Sequence, residues 1–424
     1  MPLTDEEKRT LGIEAGRVFS PAAPIDESAL FAGRTPQLRT VIDVANQRGQ
    51  HAIIFGERGV GKTSLANVIS SYLHAVPNVP VLAPHVNCDG TDDFSKLWRK
   101  IFGQIQISRE ARQSGFQTSP SGVEIKNLAD SLPKTITPEE VRKALTVLSQ
   151  QAVLIVIVDE FDRLENASIQ RLFADTVKTL SDHAVRATIV LVGVADTVDD
   201  LIEEHQSVER ALVQIKMQRM SPEELMEIIN KGLERLKMTI DEDALRHVSL
   251  VSQGLPHYTH LLGLHASREA IDSGEMRISV AHVDAAIKTA LEGAQQTTRS
   301  AYHKATTSPR RDNLYADVLL ACALAQTDDL GYFAAADIRQ PLSTIKGKFF
   351  DIPSFSRHLN DFCEAKRGPI LQKLGAKHRF RFRFKNPLMQ PFVTMQGFAN
   401  GKIDRATLEQ SAISPRATQR LLGI

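Results

Sequence analysis

The sequence predicts an α/β fold, in which a parallel sheet carries helices on both faces and two smaller, mainly helical units follow. Three observations predict this fold. Apolar strand candidates alternate with helical patterns up to residue 217, a glycine-rich turn follows the first strand, and helical patterns take over after residue 220. Strands that alternate with helices are typical of a parallel sheet covered on both faces. A chain of 424 residues is also long enough for two or three domains.

The N-terminal half supplies the predicted sheet. Residues 30–75 are predicted to form a helix, a strand, a loop and a helix, with the apolar stretch HAIIF as the strand. Residues 108–136 are rich in Ser, Gln, Gly and Pro, and this composition predicts a surface insertion. The further strand candidates lie at 79–86, 153–158, 188–193 and 211–217.

The C-terminal half is predicted to be mainly helical. It opens with Ser221-Pro222-Glu223-Glu224, a capping box with proline at the first helical position. Four helices of a lid-sized domain are expected at 221–236, 241–252, 256–273 and 279–293. After a polar segment, helices are expected near 313–326, 334–343 and 353–365, and strands near 369–374 and 378–385. Three helices and a β-hairpin predict a winged helix.

These patterns divide the chain into six predicted parts. They are an N-terminal extension (1–28), a sheet core (29–220), a helical lid (221–293), a linker (294–311), a winged-helix domain (312–397) and a C-terminal tail (398–424).

The composition is that of an ordinary globular protein, with 42% hydrophobic and 24% charged residues. Cys88, Cys322 and Cys363 lie far apart and form no CxxC pair, so the sequence predicts neither a disulfide framework nor a zinc ribbon. We expect a cytoplasmic location, because a reducing compartment suits free cysteines and no signal peptide or membrane anchor is recognisable. The longest apolar run, AVLIVIV at 152–158, is too short to span a bilayer.

A phosphate-binding loop is predicted directly after the first strand. The segment, GERGVGKT, matches GxxxxGK[ST] and lies between a strand and a helix, as that motif requires. The glycines let main-chain N–H groups surround phosphate oxygens, Lys62 reaches the β/γ-phosphates, and Thr63 offers its hydroxyl to Mg²⁺. The predicted nucleotide-binding residues of this loop are Gly56, Glu57, Arg58, Gly59, Val60, Gly61, Lys62, Thr63 and Ser64.

An acidic pair ends the apolar strand at 153–158. Asp159 can hold the magnesium shell, and Glu160 can polarise the attacking water. The alternative is an ordinary strand whose acids cap the next helix. Neither an NKxD motif nor an LSGGQ signature is present, so the expected nucleotide is ATP, with Mg²⁺ as its metal.

The order of these elements resembles the AAA+ superfamily, specifically the branch of origin-recognition initiators and STAND signalling ATPases. The resemblance covers about residues 29–395 and implies an ATP-hydrolysing P-loop domain, a helical lid and a C-terminal winged helix. Phe31-Ala32-Gly33-Arg34 resembles the family's entry to its first helix, which places Arg34 near adenine. Gly254-Leu255-Pro256 resembles the GxP motif of the STAND lid, which places Pro256 against adenine.

The resemblance also implies two polar residues that respond to the γ-phosphate. Asp196, in GVAD, occupies the sensor position where initiators commonly carry Asn. Arg210 resembles an arginine finger offered to the ATP of a neighbouring subunit, where a guanidinium stabilises charge on the transferred phosphoryl group. A solvated arginine that balances nearby glutamates remains the alternative. His257 stands where initiators place an Arg, and this departure favours slow turnover and a switch-like role.

Basic residues are concentrated near the C-terminus. Between 346 and 385, eleven Lys and Arg residues face three acidic ones, in a chain whose net charge is only +1. The stretch HRFRFRFK at 378–385, read as a strand, places Phe380, Phe382 and Phe384 on one face and the cations on the other. The candidate nucleic-acid contacts are Arg357, Lys366, Arg367, Arg379, Arg381, Arg383 and Lys385. A merely solvated basic face is the alternative reading.

Three functions follow from these patterns. The first is an ATP-dependent molecular switch that self-associates into a homo-oligomer, with Arg210 completing the site of a neighbour. The second is an initiator or transposition-regulator ATPase whose winged helix binds double-stranded DNA. The third is an adaptor whose winged helix binds a protein partner and whose ATP is structural. The basic region favours the second function over the third, and the absent sensor arginine favours the first and third.

Overall fold

The computed structural model describes residues 3–21, 23, 31–74, 80–110, 123–202, 208–309, 313–376 and 379–412. The helices in chain order are α1 (Asp5–Val18), α2 (Thr35–Asn46), α3 (Lys62–His74), α4 (Phe94–Gly103), α5 (Pro138–Leu148), α6 (Ala167–Asp182), α7 (Pro222–Leu236), α8 (Glu242–Ser252), α9 (Pro256–Asp272), α10 (Val280–Glu292), α11 (Gln296–Thr306), α12 (Tyr315–Leu324), α13 (Ala335–Lys346), α14 (Ile352–Asp361), α15 (Met389–Ala399) and α16 (Arg405–Ala412).

The strands in chain order are β1 (His51–Gly56), β2 (Val81–Leu82), β3 (His85–Asn87), β4 (Gln106–Glu110), β5 (Val123–Asn127), β6 (Val153–Asp159), β7 (Ala187–Val194), β8 (Leu212–Met217), β9 (Thr239–Ile240), β10 (Arg277–Ile278), β11 (Phe333–Ala334), β12 (Leu371–Leu374) and β13 (Arg381–Phe384).

The chain forms two compact units. Residues 25–57 and 62–217 form the first, which we call the sheet unit. Residues 1–24, 58–61 and 218–424 form the second, which we call the helical unit. The change of unit after residue 217 lies three residues before the predicted end of the sheet core.

A parallel sheet forms the core of the sheet unit, in the order β2-β6-β7-β1-β8, with β3 also paired to β6. This confirms the predicted α/β fold. Every residue of β1 is buried, and β6 and β7 are buried over almost their whole length. Strands covered on both faces read as continuous apolar runs, and this is why the sequence revealed them. The predicted strand at 79–86 is divided into β2 and β3.

Aromatic side chains pack the helices of the sheet unit against its sheet. Trp98 of α4 is fully buried and stacks on Phe173 of α6, with ring centroids 6.0 Å apart. Phe161, directly after β6, meets Phe173 edge to face at 5.2 Å. Large rings bury much apolar surface, so this cluster holds the loop that follows β6 in a fixed position. Part of the predicted insertion at 108–136 pairs as the antiparallel hairpin β4–β5.

The lid helices of the helical unit begin and end within one residue of the predicted bounds. Helix α1 packs on α7 and α9, and Phe19 just after it is fully buried. A β-carbon on Gly232 would lie 2.4 Å from the Phe19 ring, and one on Gly263 would lie 2.9 Å from it. Only glycine leaves room for the ring at these two positions. The described part of the N-terminal extension therefore belongs to the packed helical unit.

The C-terminal part of the helical unit contains the three predicted helices α12, α13 and α14 and the hairpin β12–β13, to which β11 adds a third strand. Phe382 and Phe384 are buried, and the Phe382 ring lies 6.3 Å from that of Phe333 in β11. Phe380 is half-buried, precedes the strand, and lies 4.7 Å from the Lys373 ammonium. The strand predicted at 378–385 is thus shorter, and residue 378 lies outside the described residues.

Four of the described helices lie where the sequence predicted none. Helix α1 lies in the predicted N-terminal extension, α11 occupies the polar segment assigned to a linker, and α15 and α16 follow the hairpin. Helix α15 buries eight of its residues. Because the helix is covered on most sides, its sequence MQPFVTMQGFA shows no single apolar stripe that would indicate a helix. None of the described helices is long and apolar enough to cross a membrane.

A buried histidine makes the stability of the sheet unit depend on pH. His51 is fully buried at the start of β1, and its Nδ1 accepts a hydrogen bond from the N–H of Ile189 at 3.0 Å. Burial lowers the pKa of His51 to about 4. The His51 imidazole binds a proton near pH 6.5 in the unfolded chain but only near pH 4 in the folded chain. Stability is therefore lost as the pH falls through this window.

We expect His51→Asn, which keeps an acceptor near Nδ1 but does not titrate, to reduce this pH dependence. The parent should lose about 2 kcal/mol more stability than the variant between pH 7 and pH 5, because only the parent carries the buried titrating group. Urea unfolding at both pH values, followed by circular dichroism, measures the difference. An equal loss in both proteins would contradict the role of His51.

Candidate nucleotide-binding site

The loop between β1 and α3 has the backbone geometry of a phosphate-binding loop. Gly56, Gly59 and Gly61 have φ of 150°, 88° and 93°, in a region that other residues rarely adopt. A β-carbon on Gly56 would also lie 2.3 Å from the carbonyl oxygen of Met217, at the end of β8. Glycine is therefore required at Gly56 both by conformation and by the neighbouring strand.

Lys62 lies against this loop. Its ammonium donates hydrogen bonds to the carbonyl oxygens of Gly56, at 3.0 Å, and Glu57, at 2.8 Å, and the residue is only 7% exposed. A buried ammonium held by two main-chain carbonyls remains inside the loop that a phosphate would enter. The ammonium of Lys62 is thus positioned to meet a phosphate oxygen after a short movement.

Asp159 and Thr63 come together at the carboxyl edge of the sheet. Asp159 is 3% exposed, and its Oδ1 accepts a hydrogen bond from the N–H of Glu160 at 2.7 Å. Burial raises the pKa of Asp159, but interactions with His85, with the Thr63 hydroxyl and with the N–H of Glu160 outweigh it and hold the pKa below its ordinary value. The carboxylate is therefore ionised at neutral pH.

This carboxylate suits Mg²⁺. Oδ2 of Asp159 is buried and makes no hydrogen bond, and the Thr63 hydroxyl interacts with the same carboxylate. Carboxylate and hydroxyl oxygens are ligands that Mg²⁺ prefers in nucleotide sites, where it keeps several waters. An orphaned buried carboxylate oxygen beside the P-loop hydroxyl is thus consistent with a metal held by Thr63 and Asp159.

Glu160 has an unusual backbone. Its φ and ψ are 55° and 35°, in the left-handed region that costs a non-glycine residue on the order of 1 kcal/mol. Its carboxylate pairs with Arg163, with Oε2 and Nε 3.2 Å apart, and both side chains are largely exposed. Arg163 therefore occupies one oxygen of the Glu160 carboxylate.

The next strand, β7, ends beside this acidic pair. Oδ1 of Asp162 accepts a hydrogen bond from the N–H of Val194 at 2.8 Å, which joins the loops after β6 and β7. Asp196, the predicted sensor, follows two residues later and is half-buried. Because β7 lies between β6 and β1, Asp196 leaves the sheet at the same edge as the P-loop and the acidic pair.

The two residues predicted near adenine lie in different units. Arg34 is 3% exposed and forms the N-cap of α2 with φ of 59°. Pro256 is buried at the first position of α9, in the helical unit, which also includes residues 58–61. Within that unit, a β-carbon on Gly61 would lie 3.8 Å from Cγ of Pro256. Pro256 is therefore a neighbour of the P-loop tip.

His257 does not extend as an arginine would. Its Nδ1 lies 2.8 Å from the carbonyl oxygen of Pro21, and its ring meets that of Tyr258 edge to face. Burial lowers the pKa of His257, so the imidazole is neutral at pH 7. A neutral ring bound to its own chain supplies no cation for a phosphate.

Arg210 lies at the opposite end of the sheet from its own P-loop. It is exposed and precedes β8, whose first residue pairs with His51 and whose last pairs with Gly56. Five residues of strand separate these two ends, which is roughly 17 Å. Arg210 therefore cannot reach the P-loop that precedes its own α3.

The basic residues near the C-terminus fall into two groups. Arg367, Arg381 and Arg383 make contacts within the chain. Arg367 stacks on the Tyr315 ring at 3.6 Å, Arg381 lies 2.8 Å from Asp328, and Arg383 lies 4.6 Å from the Tyr332 ring. The exposed group consists of Arg357, Lys366, Arg379 and Lys385. Within this group, Arg357 also lies 3.9 Å from Asp361, one turn along α14.

Two neighbours of the site are not among the predicted residues. Nε2 of His85, in β3, lies 3.8 Å from Oδ2 of Asp159, and Arg163 pairs with Glu160. The position of His85 depends on the pairing of β3 with β6, which a linear pattern does not reveal. The spacing of Glu160 and Arg163, three residues apart, could have suggested their pairing.

A parallel sheet with a P-loop after β1 and an acidic pair after β6 defines the class of P-loop nucleotide-binding proteins. Residues 45–202 match the protein family described as AAA domain. This match includes the P-loop and the acidic pair, and it agrees with the predicted AAA+ P-loop core.

Several solved structures are similar to the chain. The ORC2 protein of Aeropyrum pernix, solved in ADPNP-ADP complexes, is 16% identical, with a TM-score of 0.50 over 94% of this chain and 98% of that chain. The Cdc6p protein of Pyrobaculum aerophilum is 16% identical, with a TM-score of 0.43 over 92% and 99%. The Walker-type ATPase of Pyrococcus abyssi is 15% identical, with a TM-score of 0.48 over 89% and 99%. No curated protein sequence matches the chain.

The likeness to the Aeropyrum protein extends over nearly the whole of both chains, and it confirms the prediction of an Orc-like fold. At this sequence identity, the comparison concerns the fold alone.

We expect Lys62→Ala to abolish ATP binding, because it removes the cation that lies inside the phosphate loop. Lys178→Ala, on the exposed face of α6, is the matched control and should bind as the parent does. Equilibrium titration with a fluorescent ATP analogue measures both. Unchanged affinity in Lys62→Ala, with a normal unfolding temperature, would refute the site assignment.

Proposed function

We propose that the chain is an ATP-dependent molecular switch of the AAA+ type, which hydrolyses ATP slowly and whose nucleotide state controls self-assembly and the binding of a partner. One observation carries the proposal. Lys62, Thr63 and Asp159 lie at one edge of a parallel sheet, with a buried carboxylate oxygen that makes no hydrogen bond. This arrangement serves a nucleotide with its magnesium better than it serves a structural role.

Each side chain has a chemical task in this proposal. Lys62 would exchange its two carbonyl partners for the β/γ-phosphates. Thr63 and Asp159 would hold Mg²⁺, which would neutralise charge on those phosphates. Glu160 accepts a hydrogen bond from a water molecule and orients it toward the γ-phosphorus. Asp196 leaves the sheet at the same edge, where its side chain could contact that water. A direct contact between its carboxylate and the γ-phosphate is disfavoured, because both groups are anions.

Slow turnover follows from the pairing of Glu160. Arg163 lies 3.2 Å from the carboxylate that must orient water, so this contact must break before Glu160 can meet the water. The neutral His257 also supplies no positive charge for the transferred phosphoryl group. Both features favour a protein that rests in one nucleotide state for a long time.

Self-assembly is supported by the position of Arg210. It is exposed and lies roughly 17 Å along the strand from its own P-loop. A guanidinium at that place can stabilise transition-state charge only in the site of another copy. Hydrolysis should therefore depend on protein concentration.

Mixing two inactive variants tests the switch and its assembly together. Glu160→Gln should bind ATP and lower hydrolysis by a factor on the order of 100, and Arg210→Ala should do the same without changing the affinity of the monomer. In a mixture, some interfaces pair an intact Glu160 with an intact Arg210, so activity should return. Release of phosphate, followed against the mixing ratio, measures this.

The control is Arg186→Ala, another exposed arginine of the sheet unit, which should neither lower activity nor rescue Glu160→Gln. Rates per molecule that stay constant with protein concentration, together with no rescue on mixing, would contradict the assignment of Arg210 to a neighbour's site. Parental hydrolysis by Glu160→Gln would place the base elsewhere.

The partner we propose is double-stranded DNA, bound by a winged helix at 312–397. The three helices α12 to α14 and the antiparallel strands of residues 333–384 support the winged-helix assignment. The exposed cations Arg357, Lys366, Arg379 and Lys385 support an anionic partner. Arg381 pairs with Asp328 and Arg383 stacks on Tyr332, so these two residues stabilise the hairpin and do not count among the phosphate contacts.

The alternative is an adaptor that binds a protein. It is favoured by the apolar side chains of Phe349 and Leu374, which are 72% and 60% exposed.

Salt dependence distinguishes the two partners. Each phosphate contact contributes about 0.9 to the slope of log K against log salt, so replacing Lys366, Arg379 and Lys385 together with Gln should flatten the slope by up to about 2.7. Binding should weaken alike for all sequences. Fluorescence anisotropy with a labelled duplex at several salt concentrations measures this.

The matched control replaces three exposed cations outside this region, Arg9, Lys237 and Lys288, and should leave the slope unchanged. If the parent does not bind duplex DNA, or the first triple variant keeps the parental slope, the exposed cations are a solvated or protein-docking surface.

A further inference from the structure

His85 is placed beside the proposed magnesium ligand by strand pairing. The parallel register of β3 on β6 aligns His85 with Ile157 and Asn87 with Asp159. Alternate residues of a strand share a face, so residues 157 and 159 point the same way and the ring of His85 lies diagonally across from the carboxylate. Nε2 of His85 is 3.8 Å from Oδ2 of Asp159, and both atoms are buried without a hydrogen bond.

The main chain of His85 is held from the other side. Its N–H donates to Oε1 of Gln104 at 2.8 Å, and its carbonyl oxygen accepts from Nε2 of Gln104 at 2.7 Å. Gln104 is the C-cap of α4, whose apolar face is buried in the core of the sheet unit. Two reciprocal hydrogen bonds therefore fix the point from which the imidazole extends.

The two oxygens of Asp159 differ in their support. Oδ1 accepts a hydrogen bond from the N–H of Glu160. Among the described residues, the imidazole of His85 is the only basic group within 4 Å of Oδ2. A separation of 3.8 Å is too long for a hydrogen bond, and a shift of about 0.8 Å would form one. Carboxylates that hold a metal are commonly held in turn by such a donor.

We propose that His85 is a positioning residue for Asp159, which fixes the orientation of the carboxylate toward Mg²⁺ by donating a hydrogen bond from Nε2 to Oδ2. The inference rests on the proposed nucleotide function. It assigns a role to a residue that touches neither the nucleotide nor the metal. Its consequence is a higher affinity for Mg²⁺ in the nucleotide complex, with no effect on binding of the nucleotide alone.

The test measures binding without hydrolysis. The full chain is titrated with a fluorescent ADP analogue, first without divalent cation and then at increasing Mg²⁺ concentrations. His85→Ala should need about 10 to 100 times more Mg²⁺ to reach half of the metal-dependent change, since loss of such a partner lowers metal affinity by this factor. Its affinity without Mg²⁺ should equal that of the parent. His85→Gln, which offers an amide N–H, should recover part of the loss.

Two controls separate the possible failures. His183→Ala removes an exposed histidine of the same unit and should behave as the parent. Thr63→Ala removes a proposed magnesium ligand and should raise the Mg²⁺ requirement. If Thr63→Ala raises it and His85→Ala does not, the role of His85 is wrong and the nucleotide function stands. If neither variant changes it, the proposed metal site fails, and the role of His85 fails with it.

A second variant covers the case in which His85→Ala does not fold. Gln104→Ala leaves the imidazole in place but releases the main chain that carries it. It should raise the Mg²⁺ requirement in the same direction by a smaller factor, with an unchanged affinity for the nucleotide alone. A folded Gln104→Ala with the parental Mg²⁺ dependence would overturn the proposal.

Discussion

The parallel pairing of β1 between β7 and β8 is the constraint on which the candidate site depends. It brings the end of β1, where the P-loop begins, beside the end of β7. Only β7 separates this point from the end of β6. Parallel strands send their carboxyl ends to one edge, so the loop, the acidic pair and Asp196 share that edge. The same pairing brings the carbonyl oxygen of Met217 so close to Gly56 that no side chain is possible there. Fold and site therefore impose the same requirement on this glycine.

Polar groups at this edge are held by contacts that a bound nucleotide would have to replace. Lys62 donates to the carbonyls of its own loop, and Glu160 pairs with Arg163 across one turn. The carbonyl contacts stabilise the Lys62 ammonium, which burial would otherwise penalise, whereas the Glu160–Arg163 pair is largely exposed. Each must be exchanged for a contact with phosphate or water, which costs free energy before the chemical step.

The sequence predicted most of the fold because its elements carry strong local signals. Buried parallel strands are continuous apolar runs, and the lid helices begin at capping residues such as Ser221. It did not predict α15, which is buried on most sides and so lacks an apolar stripe. The P-loop and the acidic pair can be predicted because their residues are consecutive. The role of His85 cannot be predicted, because its approach to Asp159 depends on which strand lies beside β6.

The basic C-terminal region shows why net charge alone is a weak guide to a binding surface. Alternation of arginine and phenylalanine predicted a ring face and a cation face, and the two buried rings agree with that reading. Two of the cations are nevertheless used within the fold, since Arg381 meets Asp328 and Arg383 stacks on Tyr332. A guanidinium can stack on a ring and donate hydrogen bonds at the same time. An arginine can therefore stabilise the fold itself and is not always a ligand contact. Exposure therefore limits the cations available to the proposed anionic partner, and it favours Arg379, Lys385 and Lys366 over Arg381 and Arg383.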